Sequence, residues 1–184
     1  MTELAAEWMI TVLDILRNRR SIRRYKDREI EKEKIELLKE AALRSPSSRG
    51  INPWRFIFIT DKALLDRLSR AKESGSSFLK GAALGVVVTA VRKESDVWVE
   101  DCSIASIILQ LVGSSLGLGS CWIQIRKRGH NSHLTSEDYV KQVLGLPEDF
   151  LVQSIISFGY SDEVKGPVPT GDLQYDKILA REKD

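Results

Sequence analysis

The sequence predicts an α+β or α/β domain of three layers, in which helices cover both faces of a central sheet. Helical patterns alternate along the chain with short runs that are rich in β-branched and aromatic residues. A helical pattern separates each strand-like run from the next, which argues against an architecture of β-hairpins. The run 84–91 is almost continuously apolar, as expected of a central strand that is covered on both faces.

The first half of the chain predicts three helices and two strands. The helices span 4–16, 30–43 and 62–72, and Asp61 is the expected N-cap of the third. A loop over 45–53, punctuated by Pro46 and Gly50, leads from the second helix into a strand over 54–60. The apolar strand over 84–91 follows the third helix.

The second half begins with a long helix over 96–116, whose later turns are apolar nearly all round. Such a helix is expected to be the buried one of the domain. A strand over 120–125, a polar loop over 126–133, a capped helix from Thr135 to Leu144 and a strand over 151–159 follow. The tail is predicted to be extended, with a short helix from Asp172. Since neither a repeat nor a linker divides the chain, one domain over 1–184 is predicted.

Composition limits the classes of partner. The chain has 184 residues, and its 28 basic and 26 acidic residues leave a net charge of +2. Nucleic-acid binding driven by overall charge is therefore not implied. Cys102 and Cys121, the only cysteines, are expected to be small buried hydrophobes in a reducing compartment. The N-terminal pattern is not that of a signal peptide and the most apolar segment is too short for a bilayer, so a cytoplasmic protein without membrane association is expected.

Five arginines are concentrated in the run RNRRSIRRYKD, residues 17–27. A guanidinium group matches the oxygens of a phosphate, and a serine hydroxyl adds a short donor. In an extended segment, side chains alternate between the two faces. The alternation places Arg19, Ser21 and Arg23 on one face, and Arg20, Ile22 and Arg24 on the other. The run is either one wall of an anion site or a solvated basic surface.

Several kinds of catalytic site are absent from the sequence, which contains no G-x-S-x-G, Walker A or H-E-x-x-H motif. His130 and His133 lack a third ligand nearby, so no metal site is predicted and both are expected to be exposed. The shortage of acid–base groups suggests that a bound cofactor performs the chemistry. The candidate binding segments are the arginine run, SPSSRGINPW and GLGSCWIQ.

Four blocks resemble, in order and spacing, the signature blocks of the FMN-dependent nitroreductase family. They are RRSIRRY, SPSSRGINPWRFIFIT, WVEDCSIASIILQLVGSSLGLGSCWIQ and LGLPEDFLVQSIISFGY. Together they extend from about residue 13 to residue 159. The resemblance implies a three-layer α+β fold with a central mixed sheet flanked by helices. It also implies an intertwined homodimer with two FMN molecules in its interface.

The resemblance also implies which residues bind the flavin, and it implies no catalytic side chain. The phosphate, the ribityl chain and the pyrimidine edge would contact Arg19, Arg20, Ser21 and Arg23. The loop from the other subunit would contribute Pro46, Ser47, Ser48 and Asn52. Backbone donors near the flavin N5 and O4 atoms would come from Ile123, Gln124 and Ile125. Lys165 would complete the phosphate clamp. The chain departs from the family at Gly50 and Asn52, where Asn and Gln are common, and in offering only one basic residue for that clamp.

The activity implied by the resemblance is a ping-pong reaction. NAD(P)H gives hydride to flavin N5, and a nitroaromatic, a quinone or a related small acceptor then takes the electrons. No motif distinguishes NADH from NADPH. One alternative is a flavoprotein of the same fold with a specialised reaction, such as flavin destruction or reductive dehalogenation. The other is a non-enzymatic nucleic-acid-binding domain that uses the arginine run.

Overall fold

A four-stranded antiparallel sheet forms the middle layer of the computed structural model, which describes residues 11–181. Its strands are β1 (Trp54–Ile59), β2 (Leu84–Val91), β3 (Gly119–Gln124) and β4 (Phe150–Gly159). Their order in the sheet is β1-β2-β4-β3, so β1 and β3 are the edge strands. The mixed character expected of the sheet is limited, within the described residues, to a single parallel bridge between Ser21 and Ser120.

Five helices surround this sheet, and four of them cover its two faces. They are α1 (Val12–Asn18), α2 (Lys32–Leu43), α3 (Lys62–Ser69), α4 (Trp98–Ser115) and α5 (Ser136–Leu144). Helix α1 packs against α4 instead of a face of the sheet. Residues of α2 and α4 pack in one core cluster, and residues of α3 and α5 pack in the other. The predicted three-layer α+β arrangement is therefore confirmed.

Strand β2 shows why both faces of the sheet are covered. Val86 and Val88 point into the cluster with α4, whereas Val87 between them points into the cluster with α3 and α5. This alternation is the period of two that strands impose on their side chains. All three valines are fully buried, and β2 has the bounds that its apolar run predicts.

Capping side chains account for several helix starts. Asp61 accepts hydrogen bonds from the amides of Ala63 and Leu64, as predicted. Thr135 accepts from the Asp138 amide at 3.0 Å, and its hydroxyl donates to the Asp138 carboxylate at 2.6 Å. Thus the predicted reciprocal pair is present, although the second bond uses the hydroxyl of Thr135 instead of its amide.

Some predicted boundaries differ from those observed. The part of the first predicted helix over 4–10 lies outside the described residues, and Thr11 caps a helix that continues to Asn18. Helix α2 starts two residues after Ile30, because that side chain is buried in the core ahead of the N-cap Glu31. Helix α3 ends at Ser69 because the amides of Arg70 and Ala71 turn back onto the carbonyls of Arg67 and Leu68. Two 3₁₀ turns, Thr170–Asp172 and Tyr175–Lys177, replace the predicted terminal helix.

The expectation that α4 is buried all round is wrong for one isolated chain, in which only one side of the helix is buried. Cys102, Ala105 and Leu109 are fully buried against the sheet. Ile104 and Ile107, on the opposite side of the same helix, are exposed. An apolar outer face on a central helix is typical of a surface that another molecule covers.

Among the described residues, no helix combines the length and the apolarity needed to cross a membrane.

Candidate functional site

The arginine run lies along the end of the sheet, between β3 and the chain that follows β4. The Ile22 amide donates to the carbonyl of Ser120 at 2.9 Å, next to the Ser21–Ser120 bridge. The Asp162 amide donates to the carbonyl of Arg24, also at 2.9 Å. These bonds hold the run as a short extended segment, the condition on which the alternation of its side chains depends.

Two glycines allow the run to approach the sheet closely. Gly119 of β3 and Gly159 of β4 are cross-strand partners. A Cβ atom on Gly119 would lie 2.9 Å from the Cβ of Ile22, and one on Gly159 would lie 2.8 Å from Cδ1 of Tyr25. Real side chains do not approach so closely, so any larger residue at either position would displace the run.

Tyr25 fastens the run to β4. Its hydroxyl donates to the carbonyl of Ile22 at 2.6 Å and lies 2.7 Å from Oγ of Ser157. Burial, the main cause, raises the pKa of Tyr25 well above its usual value of 10.0. The side chain therefore remains a neutral phenol and a stable hydrogen-bonding anchor.

A cavity of about 350 Å³ opens beside the run. Its lining includes Arg19, Arg20 and Lys165, together with Gly119 and Ser120. Arg20 also donates from Nη1 to the carbonyl of Gly166 in the C-terminal tail. Three cationic side chains around one small cavity are a donor set that suits a phosphate group. The structure thus brings together three of the predicted site residues from distant parts of the chain.

Glu163 is a central residue of this cavity that the sequence reasoning missed. One oxygen of its carboxylate accepts from the amides of Arg23 and Arg24, at 2.6 Å and 3.3 Å. The same oxygen lies 3.2 Å from Nζ of Lys165. The bond from the Arg23 amide is the main cause that lowers the pKa of Glu163, and Lys165 adds to it. Glu163 therefore holds the backbone of the run while it partly neutralises the lysine.

Lys165 lines the cavity but is not a free cation. Its ammonium group donates to the carbonyl of Ser21 at 2.6 Å, in addition to its ion pair with Glu163. Any anion in the cavity would thus meet a lysine whose orientation is already set. This arrangement leaves the two guanidinium groups, Arg19 and Arg20, as the main positive charges at the cavity.

Ser21 and Arg23 lie on the side of the run that faces Cys121. Burial, the main cause, raises the pKa of the Cys121 thiol, whereas the charge of Arg23 and a hydrogen bond with Ser21 act to lower it. The guanidinium carbon of Arg23 lies 5.7 Å from the ring centroid of Phe78. Cys102 and Cys121 are both buried free thiols, as predicted.

The third predicted segment, Ile123 to Ile125, lies at the open edge of the sheet. The carbonyl of Ser120 faces away from β4, toward the arginine run. In an antiparallel strand, every second residue directs its backbone N–H and C=O groups to the same side, so those of Gln124 also face away from β4. The Ile125 amide instead donates to the carbonyl of Gln153, and Ile123 faces β4. Of the three residues, only Gln124 therefore directs its backbone N–H group away from β4, toward the open edge.

The loop around Pro46 does not line this cavity. The hydroxyl of Ser47 donates to Oδ1 of Asn52 at 2.7 Å and accepts from the Asn52 amide at 2.8 Å. The Ser48 amide donates to Oδ1 of the buried Asp101 at 2.8 Å, which ties the loop to the start of α4. Within one chain, these predicted residues form a separate group with its own internal bonds.

Backbone conformation explains Gly50, where the chain departs from the family pattern. Its φ is 66°, in the left-handed region that glycine adopts at little cost. Arg49 and Asn52 on either side also have positive φ, at 55° and 54°. An ion pair between Arg49 and Asp96 and the Ser47–Asn52 bonds hold this strained loop in place.

The histidines differ from each other. His133 is exposed as predicted, whereas His130 is half-buried and stacks on Tyr139 with ring centroids 4.0 Å apart. The stacking corrects the expectation that both are solvated. Within residues 11–181, no three His, Cys, Asp or Glu side chains come together as a metal site.

The chain is similar to known proteins over most of its length. A sequence profile described as the nitroreductase family matches residues 16–76 and 70–160. A protein of Archaeoglobus fulgidus, provisionally named NADH dehydrogenase/NAD(P)H nitroreductase, is 35% identical to this chain. The alignment covers 93% of this chain and 97% of that protein. The solved structure of an FMN-dependent nitroreductase from Clostridium difficile R20291 has a TM-score of 0.90 at 44% identity, with 93% and 99% of the two chains covered. A structure from Parabacteroides distasonis, with the same provisional name, has a TM-score of 0.83 at 32% identity and covers 94% and 98%.

Substitution of Gly119 by alanine tests whether the glycine pair seats the run. The added Cβ would force Ile22 outward, so the free energy of unfolding should fall by about 1–3 kcal/mol. Urea denaturation measures this change, and hydrogen exchange at the Ile22 amide should become faster. Gly81→Ala is the control, because a Cβ there meets nothing within 4 Å. Equal stability of the two variants would show that the close contact does not constrain the run.

Proposed function

The chain belongs to the nitroreductase family, and we propose that it is an FMN-dependent oxidoreductase that uses NAD(P)H to reduce small nitroaromatic or quinone-like acceptors. The observation that carries the proposal is the cavity in which Arg19, Arg20 and Lys165 converge beside the open edge of β3. The cavity offers cations for a phosphate, and the strand edge offers backbone groups for a heteroaromatic ring. Together these donors fit the two ends of FMN.

When bound, FMN would accept hydride from NAD(P)H and pass electrons to the second substrate, with the two substrates using the site in turn. The protein contributes binding and orientation. Arg19 and Arg20 would balance the phosphate charge, which is close to −2 at neutral pH. The N–H group of Gln124 would orient the ring from the strand edge, and Arg23 would supply positive charge on the Cys121 side of the run.

Nucleic-acid binding, the alternative from another class, finds little support in the geometry. Arg19 and Arg20 line one concave cavity together with Lys165, and the amides of Arg23 and Arg24 are bonded to a carboxylate. A surface that follows a nucleic-acid backbone needs a stripe of accessible cations instead. Of the two uses of the run, the geometry favours a local anion site.

The proposed active form is a homodimer. Leu13 and Leu16 of α1 and Ile104 and Ile107 of α4 are exposed apolar side chains. The loop with Ser47 and Ser48 lies at the start of α4 and outside the chain's own cavity. A second copy on this apolar face would cover it and would bring each Ser47–Ser48 loop to the partner's flavin.

The C-terminal tail provides a second reason to expect an intertwined dimer. Leu173, Ile178 and Leu179 are exposed, and Leu179 retains 92% of its accessible surface. A groove of about 440 Å³ runs beside the edge strand β1, and its lining includes Trp54, Phe56 and Phe58. We propose that the tail of each protomer lies in this groove of its partner, because exposed edge strands with apolar neighbours are otherwise prone to aggregate.

Purified protein tests the central proposal through its colour and spectrum. It should be yellow or take up added FMN in equimolar amount, and NADPH or NADH should bleach the flavin under anaerobic conditions. Stopped-flow absorbance measures the bleaching, and a nitroaromatic or a quinone should then restore the oxidised spectrum. A colourless protein that does not take up FMN would refute the proposal. Bleaching without turnover of either acceptor class would favour the specialised flavoprotein.

Arginine substitutions test which residues hold the cofactor. Arg19→Ala and Arg20→Ala should each raise the Kd for FMN about 10- to 100-fold, as expected from loss of charge-assisted contacts worth about 1.5–3 kcal/mol. Fluorescence titration of the apoprotein with FMN measures the change. Arg17→Ala is the matched control, because that exposed side chain pairs only with Asp14 on α1 among the described residues. Unchanged affinity in both test variants would show that the run is a surface feature.

Sedimentation tests the dimer and the role of the tail. The wild-type protein should sediment at twice the 20.8 kDa mass of one chain. The double variant Ile178→Ser/Leu179→Ser should weaken the dimer measurably, because it removes apolar contacts from the proposed arm. Leu37→Ser, which alters an exposed residue of α2 outside the arm and outside the linings of both cavities, should sediment as the wild type does. A flavin-loaded wild-type monomer would contradict the proposal.

A further inference from the structure

A second group of cations, in the loop that follows β3, is not used by the proposed flavin site. Arg126, Lys127 and Arg128 are consecutive, and none of them forms an ion pair with a carboxylate of residues 11–181. Surface cations elsewhere, such as Arg44 and Arg70, are paired with carboxylates one helical turn away. Three adjacent cations without such partners are a local excess of positive charge.

The loop is ordered by its own contacts. Oδ1 of Asn131 accepts from the amides of His133 and Leu134, at 2.8 Å and 2.9 Å. A backbone bridge joins Gly129 to Thr135, and His130 stacks on Tyr139 of α5. A binding segment with this many internal bonds loses little conformational entropy when a ligand arrives.

The cations divide between two sides of the loop. The guanidinium carbon of Arg126 lies 5.6 Å from the ring centroid of Trp98, on the α4 side. Lys127 and Arg128 instead line an open cavity of about 610 Å³, together with polar groups of Asn131, Ser132 and Thr135. Glu137 is the one acidic residue in that lining, and its Oε1 atom is occupied by the Val152 amide at 3.0 Å.

The cavity follows the proposed flavin site along the chain. The loop continues directly from Gln124 at the open edge of β3. Gln124 and Arg126 are two residues apart, so the basic loop begins where the open edge of β3 ends.

From this geometry we propose that Lys127 and Arg128 bind the 2′-phosphate of NADPH, so that the enzyme prefers NADPH to NADH. The inference rests on the proposed function. The two nucleotides differ only in that phosphate, so a basic cavity next to the hydride-transfer site is a means of distinguishing them. Polar groups of Asn131 and Ser132 in the lining can bond the adenosine portion, which both nucleotides share.

The test compares both nucleotides with the flavin-loaded protein. The wild type should have a kcat/KM at least about tenfold higher for NADPH, the effect expected of one charged contact. Lys127→Gln/Arg128→Gln should lower kcat/KM for NADPH about 10- to 100-fold through KM, with kcat and the NADH constants nearly unchanged. The control is Arg44→Ala/Arg70→Ala, which removes two paired surface cations and should leave the preference intact.

Direct binding separates this inference from the proposed function. Calorimetry should show that 2′,5′-ADP binds the wild type more tightly than 5′-AMP, and that the double Gln variant loses the difference. Failure of both nucleotides to reduce the flavin would refute the proposed function. Normal reduction by both at equal kcat/KM, with no preference for 2′,5′-ADP, would overturn only the 2′-phosphate assignment. An equal loss with NADPH and NADH in the variant would assign the loop to the shared pyrophosphate instead and also overturn it.

Discussion

The close contact between the arginine run and the glycine pair Gly119–Gly159 is the constraint on which the rest of the site depends. Ile22 and Tyr25 occupy the space that side chains at positions 119 and 159 would fill. The backbone of the run can therefore come within hydrogen-bonding distance of Ser120. That position directs Arg19 and Arg20 into the cavity and places Ser21 beside Cys121. The missing side chains of two strand residues therefore determine where the cations of a distant segment lie.

Charge balance around the cavity follows from the same placement. With the run seated, the amides of Arg23 and Arg24 point at Glu163, which is 140 residues away from Arg23 in sequence. The carboxylate satisfies these donors and orients Lys165, yet it also offsets one positive charge. A phosphate would therefore be held mainly by the two guanidinium groups, whose forked donors suit its oxygens better than an ammonium does. A Glu163→Gln variant would lose the negative charge but keep an oxygen that can accept from the amides of Arg23 and Arg24. It therefore separates the electrostatic effect of Glu163 on the cavity from its effect on the position of the run.

Local signals predicted much of the fold, and long-range contacts account for what they missed. Asp61 and Thr135 cap their helices because capping involves neighbours within three residues, and β2 follows from an apolar run. The four ordered blocks also pointed to the family, and with it to Arg19, Arg20 and Lys165. Glu163 carries no such signal, since its role depends on where the run is placed in three dimensions. The half-buried His130 was missed for the same reason, because Tyr139 stacks on it from the following helix.

The two edges of the sheet differ in the groups that surround them, and the strand order makes β1 one edge and β3 the other. Strand β3 leaves its outer backbone groups open, and the arginine run covers only its start, at Ser120. The remaining edge, at Gln124, has no strand partner among the described residues and leads directly into the basic loop. Strand β1, at the opposite edge, contributes aromatic side chains to a groove that Lys39 and Arg55 also line, and an apolar groove beside a strand edge suits a protein segment. An antiparallel sheet of four strands has two such edges, and in this chain one is suited to a cofactor and the other to a second copy.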